Sequence, residues 1–505
     1  MKRCRFTALL CALLCAAAGL APTFLAPAPA RAQAPAPPLI FRPAPPAPAP
    51  PLVFRPLPAS VGATASVGAT GQQGPAGQQG PAGQQGPAGV GADGTQVVNV
   101  KTFVPPLTAL TLLAGQTPAQ ALASFSPAVG DGVHDDTLAL QAALDYAVAR
   151  TTVGASAYQR LTLLIPAGTY KLTAPLTIDR PGGGIYSGFD IEGAGSSPQG
   201  QVLEGGTVLK QTGAAQDSVL WIKGGSFRDS KIAGLMLYMA GDTRYGLHLG
   251  SQYSRLLVSR VYITTLSPTS RGTGVYQEYP ISGNANGEQT VFDDVGVDYC
   301  LTLYDFRSGQ AFGLTLRDCG GQANNGGTAL AVGLDNYAGY QCLVTNFSVS
   351  AGIGPLPNTL FKIGVISGNF TAISTRSEET DTVLSLGGSQ SIAANVTLSG
   401  SQFDSIPGHA PLVVSGPQSA QYLVTFAQDK FSALTPGTSL TIPTPSDFRH
   451  TVWQGCIFDN WAPSVSLGPR PNAAVYPFNG YPGTTITDCW QFNSLAAGVM
   501  SAVTN

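Results

Sequence analysis

The chain has 505 residues, of which 44% are hydrophobic and 11% are charged, so it is long enough to bury a large core. Its 61 glycines and only four methionines favour many turns and strands over helices. The formal net charge is −2, and no basic cluster occurs after the first 32 residues, which excludes nucleic acid as a predicted partner.

The N-terminus has the three-part layout of a secretory signal peptide. Three of the first five residues are basic, an apolar run covers residues 6–20, and Ala30-Arg31-Ala32 supplies small residues for cleavage. Pro22 and Pro27 interrupt the apolar stretch, which argues against an uncleaved anchor. Removing residues 1–32 takes away four of the 26 basic residues and no acidic one, which leaves 22 against 28 and a net charge of −6. We therefore expect a secreted, extracellular or cell-surface protein with no membrane segment after cleavage.

Two low-complexity segments follow the signal peptide. Residues 33–67 are rich in proline, alanine and short repeats, a composition that forms extended linkers and cannot pack a core. Within residues 68–94, glycine occupies every third position from Gly68 to Gly89, including three copies of Gly-Gln-Gln-Gly-Pro-Ala. Only glycine fits at the axis of a collagen triple helix, so this period predicts a collagen-like stalk and a homotrimer. The alternative is a flexible linker, because so few triplets form only a marginal triple helix by themselves.

A glycine-rich motif opens the predicted folded domain, which we assign to residues 95–505. The motif is Gly130-Asp-Gly-Val-His-Asp-Asp-Thr137, and the apolar spacing after it predicts a helix over 136–149. Asp135 and Asp136 stand at the start of this helix, where carboxylates accept hydrogen bonds from unpaired backbone N–H groups. We therefore expect these two acids to cap the helix.

The remainder of the chain reads as a series of short strands. From about residue 160 onward, β-type runs alternate with Gly, Asn, Asp and Ser at intervals of about 8–12 residues, which predicts an all-β solenoid, sandwich or barrel. Asp294, Asp318 and Asn346 favour the solenoid, because each lies two positions after an apolar residue and they are 24 and 28 residues apart. This pattern predicts polar corners that stack on successive coils of a β-helix.

The sequence resembles the pectate-lyase-like superfamily, which includes polygalacturonases, rhamnogalacturonases and phage tailspikes. The resemblance lies in Gly130–Thr137, Gln141-Ala-Ala-Leu-Asp145 and Pro166-Ala-Gly-Thr-Tyr170. It implies an all-β fold, a right-handed parallel β-helix (solenoid) with an N-terminal capping helix. The polygalacturonase-type sequences Asn-Thr-Asp, Gly-Asp-Asp and Gly-His-Gly do not occur, so no catalytic set is carried over with the fold.

The cysteines and histidines do not form a recognisable site. Five cysteines follow the signal peptide, and an odd number spread over nearly 200 residues does not suggest a disulfide framework. We expect buried thiols, with Cys456 and Cys489 as one candidate bridge. The four histidines lack the spacing of metal ligands, so no cofactor is predicted, and no calcium site is readable in the sequence.

Two charge-dense segments hold the candidate catalytic residues: 278–305 and Arg376-Ser-Glu-Glu-Thr-Asp381. Cleavage of a glycosidic bond requires two carboxyl groups about 5–9.5 Å apart. Residues four apart on one strand are about 13 Å apart and stacked strands about 4.8 Å, so a pair from adjacent coils is favoured. The candidate catalytic residues are Asp293, Asp294, Glu378 and Glu379, and the candidate substrate-binding residues are Arg307, Arg376, Tyr276 and Tyr299.

Two functional classes remain open. The first is a secreted glycoside hydrolase or polysaccharide lyase that acts on an extracellular polysaccharide along the flank of the β-helix. The second is a non-catalytic trimeric surface or matrix protein that binds glycan or has a structural role. The superfamily resemblance favours the first class and the missing catalytic sequences favour the second. We take the polysaccharide-active enzyme as the leading interpretation.

Trimerisation is expected to depend on residues 68–89. Replacing Gly77 and Gly80 by bulkier residues puts side chains at the crowded axis of the triple helix, which loosens the stalk. Light scattering of the mature chain measures the change in mass, and a monomer before any substitution contradicts the collagen-like interpretation.

Overall fold

The structure is a computed structural model that describes most of the chain from Gln96 to Ala502. The described ranges are 96–106, 125–152, 159–179, 184–196, 206–240, 242–250, 252–265, 270–278, 287–307, 313–334, 341–351, 358–364, 368–387, 394–406, 412–414, 422–433, 438–441, 449–459, 461–466, 483–493 and 499–502. The predicted signal peptide, linker and stalk lie outside the described residues.

The chain forms a parallel β-helix, as the sequence predicts, and each coil, or rung, contributes strands to three faces. Face A contains Gln96–Asn99, Leu161–Ile165, Phe189–Gly193, Lys231–Ala233, the start of Leu257–Thr264, the start of Val291–Phe306, Leu314–Arg317, Gln341–Thr345, Asn369–Ile373, Ala394–Ser399, Tyr422–Ala427, Arg449–Gln454 and Gly483–Thr487. Face B contains Asp131–Asp135, Gly168–Leu172, Thr207–Gln211, Met236–Tyr238, the end of Leu257–Thr264, the middle of Val291–Phe306, the start of Gly320–Val332, Ser348–Ala351, Arg376–Glu378, Gln402–Ile406, Lys430–Ala433, Ile457–Asp459 and Trp490–Asn493, which Val499–Ala502 joins antiparallel.

Face C contains Leu176–Ile178, Ser218–Ile222, Tyr245–Leu249, Thr273–Gln277, the end of Val291–Phe306, the end of Gly320–Val332, Thr359–Ile363, Thr382–Leu386 and Leu412–Val414. Two long strands, Val291–Phe306 and Gly320–Val332, continue through corners of the coil and so belong to more than one face. Two small parallel sheets complete the fold: Ile185–Ser187, Ser226–Arg228, Gln252–Ser254 and Gly287–Glu288 form one, and Thr438–Thr441 with Trp461–Ser466 form the other.

The interior is a continuous column of apolar side chains, because alternate residues of each strand point inward. Leu161–Ile165 shows the pattern, with its first, third and fifth residues buried. Rings stack where rungs align, as in Phe426 over Trp453, whose centroids are 4.1 Å apart. In-register stacking therefore builds the core from residues that are distant in sequence.

The predicted corner ladder is confirmed. Asp294, Asp318 and Asn346 have φ values of 56°, 53° and 51°, the left-handed region that Asp and Asn tolerate best after glycine. The amide Nδ2 of Asn346 donates to Oδ1 of Asp318 on the preceding rung at 2.9 Å. These residues turn the chain from face A to face B at the same point of each coil.

The capping helix spans Thr137–Arg150, within one residue of the predicted bounds, and buries Leu140, Ala143 and Leu144. The capping prediction was wrong for Asp136, which stands at the N-cap without a side-chain cap bond. Its carboxylate turns back and accepts from the N–H groups of Val129 and Gly130 at 2.6 and 3.1 Å. Asp135 accepts instead from the N–H of Thr137 at 3.1 Å. No helix in the described part of the chain has the length and apolar character needed to cross a membrane.

The five cysteines after residue 32 are buried free thiols, as predicted. Cys456 and Cys489, the candidate bridge, are not joined by a disulfide. They occupy the same inward corner position on adjacent rungs. Burial raises the pKa of the thiols of Cys319 and Cys342 to about 12, so these are unreactive.

Asp429 is an ionisable side chain inside the same inward column. It is fully buried, and its carboxylate accepts from the N–H groups of Ser401 and Ala427 at 2.7 and 3.1 Å. Desolvation outweighs these bonds and raises the pKa to about 7. The folded state therefore holds this proton more tightly than the unfolded chain does.

Asp429 makes the stability of the protein fall as the pH rises from about 4 to about 7, because the unfolded chain releases the proton first. The loss is on the order of 4 kcal/mol for this group. Asp429→Asn removes the ionisation together with one of the two acceptor oxygens, so its melting temperature is expected to fall less than that of the wild type between pH 4.5 and 8. Scanning calorimetry of both proteins from pH 4.5 to 8 measures the difference, and parallel curves contradict the assignment.

Candidate functional site

Face B carries a groove on its outer surface. The cavity has a volume of about 340 Å³ and is lined by Asp298, Gly321, Gln322, Ser348, Val349, Ser350, Arg376 and Glu378. The strand register places Asp298, Gln322, Ser350, Glu378 and Asp404 in one outward column on five successive rungs. The column thus brings three carboxyl groups to one flank of the β-helix.

Small residues form a column next to the one that holds Asp298 and Glu378, and Ser348 of this column lines the groove. Gly296, Gly320 and Ser348 follow one another in a second outward column, between Tyr262 and Arg376. A Cβ at Gly296 would lie 2.9 Å from the Tyr262 ring, and one at Gly320 would lie 1.8 Å from the Ser348 carbonyl oxygen. The sheet therefore needs glycine here, and its surface lies low between two large side chains.

Asp298 forms the inner end of the groove. It accepts a hydrogen bond from the hydroxyl of Tyr262 and another from the N–H of Gln322 at 2.8 Å. Burial nevertheless raises the pKa of Asp298 above its usual range, because desolvation outweighs both bonds. The groove thus contains a carboxyl group that keeps its proton to a higher pH than a surface aspartate.

Glu378 lies at the outer end of the groove beside Arg376, whose Nη2 is 2.8 Å from Glu378 Oε1. Asp404 aligns directly with Glu378 on the next rung and accepts from Gln402 Nε2 at 2.6 Å. Stacked strands are about 4.8 Å apart, so the register puts the backbones of Glu378 and Asp404 side by side on adjacent coils. Glu379 follows at the corner with a φ of 59°, and its N–H donates to the Asp404 carbonyl at 3.2 Å.

The other two predicted acids lie elsewhere on the coil. Asp293 points outward from face A and pairs with Arg317 on the next rung at 2.7 Å, a contact that lowers the pKa of Asp293. Asp294 is the exposed corner residue described above. The structure therefore brings Glu378, Glu379 and Arg376 together and separates them from Asp293 and Asp294.

The remaining predicted residues lie on or near face C. The ring of Tyr276 stacks on that of Tyr245 with centroids 4.1 Å apart, and the Arg307 guanidinium lies 5.8 Å from the Tyr276 centroid. Arg307 also pairs with Asp305 at 2.8 Å. Tyr299 occupies the corner between faces B and C, with a φ of 60°.

Face C also holds a cluster around His248 that the sequence analysis missed. His248 is buried, its Nδ1 lies 2.8 Å from Asp217 Oδ2, and its ring stacks on Trp221 with centroids 4.8 Å apart. Its Nε2 lies 3.3 Å from Glu278 Oε2. The sequence carried a signal for these residues, since Trp221, His248 and Tyr276 are 27 and 28 residues apart, close to the intervals of 24 and 28 in the corner ladder.

Within the described residues, no group of three or more His, Cys, Asp or Glu side chains has the arrangement of a metal site. The side chains described above supply carboxyl, imidazole, phenol and guanidinium groups. These are groups that bind hydroxyl-rich ligands and transfer protons.

No family model and no curated protein matches the chain. Solved structures do match. Open reading frame 18 of Geobacillus virus E2 is 15% identical with a TM-score of 0.37, covering 72% of this chain and 59% of its own length. The catalytic unit of a GH87 α-1,3-glucanase from Streptomyces thermodiastaticus is 13% identical with a TM-score of 0.36, covering 74% of this chain and 68% of its own.

The tailspike protein of Escherichia coli bacteriophage HK620, solved with a pentasaccharide, is 11% identical with a TM-score of 0.35, covering 80% of this chain and 83% of its own. This chain spans about three fifths of the length of the Geobacillus virus E2 protein. At these identities the likeness concerns architecture, and the β-helix assignment rests on the strand register.

Proposed function

We propose that the protein is a polysaccharide-active enzyme of the glycoside hydrolase type and that its substrate lies in the groove of face B. The observation that carries this proposal is the alignment of Glu378 with Asp404 on adjacent rungs, beside a cavity of about 340 Å³. Retaining glycosidases hold their two carboxyl groups about 5–5.5 Å apart, close to the rung spacing of about 4.8 Å.

We assign a role to each group of the pair from its surroundings. Glu378 is exposed and ion-paired with Arg376, so it suits the carboxylate that attacks the sugar. Asp404 then serves as the acid that protonates the leaving oxygen and as the base that activates water. Asp298, at the other end of the groove, offers its remaining acceptor sites to a sugar hydroxyl while Gln322 and Ser350 supply further polar contacts.

The proposal extends to the rest of the chain. A signal peptide over 1–32 exports the protein, the linker over 33–67 and the collagen-like stalk over 68–94 project it as a homotrimer, and residues 95–505 form the domain that meets the glycan. The ends of a long polysaccharide are not required for binding, because a site on the flank of the β-helix accepts the polysaccharide anywhere along its length.

Glu378→Gln and Asp404→Asn are each expected to lower kcat on a cleaved polysaccharide by about 10²–10⁴. Their melting temperatures are expected to stay near that of the wild type, because both side chains are at the surface. Reducing-end release from a panel of acidic and neutral polysaccharides measures the rate, and ultraviolet absorbance of unsaturated products distinguishes a lyase. Asp293→Asn, Asp294→Asn and Glu379→Gln in the same panel measure what the other predicted acids contribute.

Glu192→Gln is the matched control, since Glu192 is an ion-paired glutamate on face A, away from the groove. The proposal is wrong if Glu378→Gln and Asp404→Asn cleave as fast as this control. If the wild type cuts no polysaccharide but binds one, the non-catalytic glycan-binding alternative is correct instead.

A further inference from the structure

We propose that face C carries a second glycan-binding site, in which the carboxylate of Glu278 accepts hydrogen bonds from neighbouring hydroxyls of a neutral sugar. The buried rings of His248 and Trp221 lie behind this carboxylate, and His248 Nε2 is 3.3 Å from Glu278 Oε2. The inference rests on the proposed action on polysaccharides and adds to it a contact outside the groove.

The first support is the fixed position of His248. Its side chain is only 5% exposed, and Asp217 holds Nδ1 at 2.8 Å. The ring of Trp221 lies parallel to it with an interplanar angle of 4°, and Tyr245 and Tyr276 pack at an angle on its other sides. Because Nδ1 faces Asp217, Nε2 is the ring nitrogen that faces Glu278.

The second support is the convergence of polar atoms on one point. Nε2 of His248 and Nε1 of Trp221 are both buried and have no hydrogen-bond partner among the described residues. The 3.3 Å contact between Nε2 and Glu278 Oε2 lacks the alignment of a hydrogen bond. A Cβ on Gly250 would lie 2.6 Å from Trp221 Nε1 and 2.9 Å from Glu278 Oε2, so both atoms meet above this glycine.

The third support is the contrast in exposure. The side chain of Glu278 is 40% exposed, whereas His248 Nε2 and Trp221 Nε1 behind it are buried. A carboxylate has about four acceptor sites, and those turned away from the protein are open to a ligand. An exposed carboxylate beside a buried and tightly packed aromatic cluster is arranged for binding, since a surface ion pair by itself contributes little to stability.

The aromatic rings explain why hydroxyls and not sugar faces are recognised. Trp221 stacks on His248 and lies under Lys223, while Tyr276 stacks on Tyr245 and lies under Arg307. The ring faces are therefore already covered, and the cluster presents edges with polar atoms. Arg307 is paired with Asp305, so the site does not offer it freely to an anionic sugar, and Glu278 repels one.

One strand connects the two faces that carry the sites. The strand Val291–Phe306 carries Asp298 in the groove and Asp305 on face C, with Tyr299 at the corner between them. A polymer that occupies the groove can pass this corner and reach Glu278. This gives Tyr299, a predicted substrate-binding residue, a place on the path between the sites.

The test measures binding in a Glu378→Gln background, so that cleavage does not interfere. The probes are neutral oligosaccharides of glucose, galactose and mannose, together with an oligogalacturonate of equal length. Titration calorimetry and the fluorescence change of Trp221 report binding. Glu278→Gln is expected to raise Kd for a neutral probe at least tenfold, because a hydrogen bond to a charged group is lost. Gly250→Ala, which pushes on both Trp221 and Glu278, is expected to do the same.

Glu192→Gln is again the control, because Glu192 has the same 40% exposure and an ion pair of its own. Unchanged binding by Glu278→Gln, binding of no neutral probe, or equal loss with the control overturns the inference. If the protein cleaves glycans and KM is unchanged by Glu278→Gln, only this inference fails. If it cleaves none but Glu278→Gln still weakens binding, the second site stands and the proposed catalytic function fails.

Discussion

The in-register stacking of one coil on the next is the constraint on which the whole structure depends. Parallel backbone hydrogen bonds hold the rungs about 4.8 Å apart. On face A this register continues from Gln96–Asn99 to Gly483–Thr487. Residues that are roughly one coil apart in the sequence therefore stand side by side in columns. Inward columns form the core, corner columns turn the chain, and outward columns form the surfaces on which a ligand can lie.

The same constraint determines where polar chemistry is stable. An outward column can place Glu378 beside Asp404 because solvent and Arg376 compensate their charges. An inward column gives a charged group no such compensation. The raised pKa of the buried Asp429 shows the consequence. The His248 cluster lies between these cases, because its ring is buried while Glu278 remains in contact with solvent. Both proposed sites therefore lie where an outward column contains residues that are partly buried.

Much of the fold was predictable because its signals are local or strictly periodic. The helix Thr137–Arg150 followed from apolar spacing, and the Asp318–Asn346 ladder followed from the coil interval. The pairing of Arg376 with Glu378 followed from strand alternation within three residues. The alignment of Asp404 with Glu378 did not, because coil lengths vary and a one-residue change moves a side chain to the other face. His248 and Trp221 were missed because their roles depend on packing between coils, which single residue types do not reveal.

The central claim is that register alone brings Glu378 and Asp404 together as one catalytic unit. A double-mutant cycle on kcat with Glu378→Gln, Asp404→Asn and the double variant tests it most directly, since residues that act as a unit are strongly non-additive. The account predicts that the double variant is scarcely slower than the slower single variant. Rate losses that multiply, or a single variant with the activity of the wild type, would contradict it.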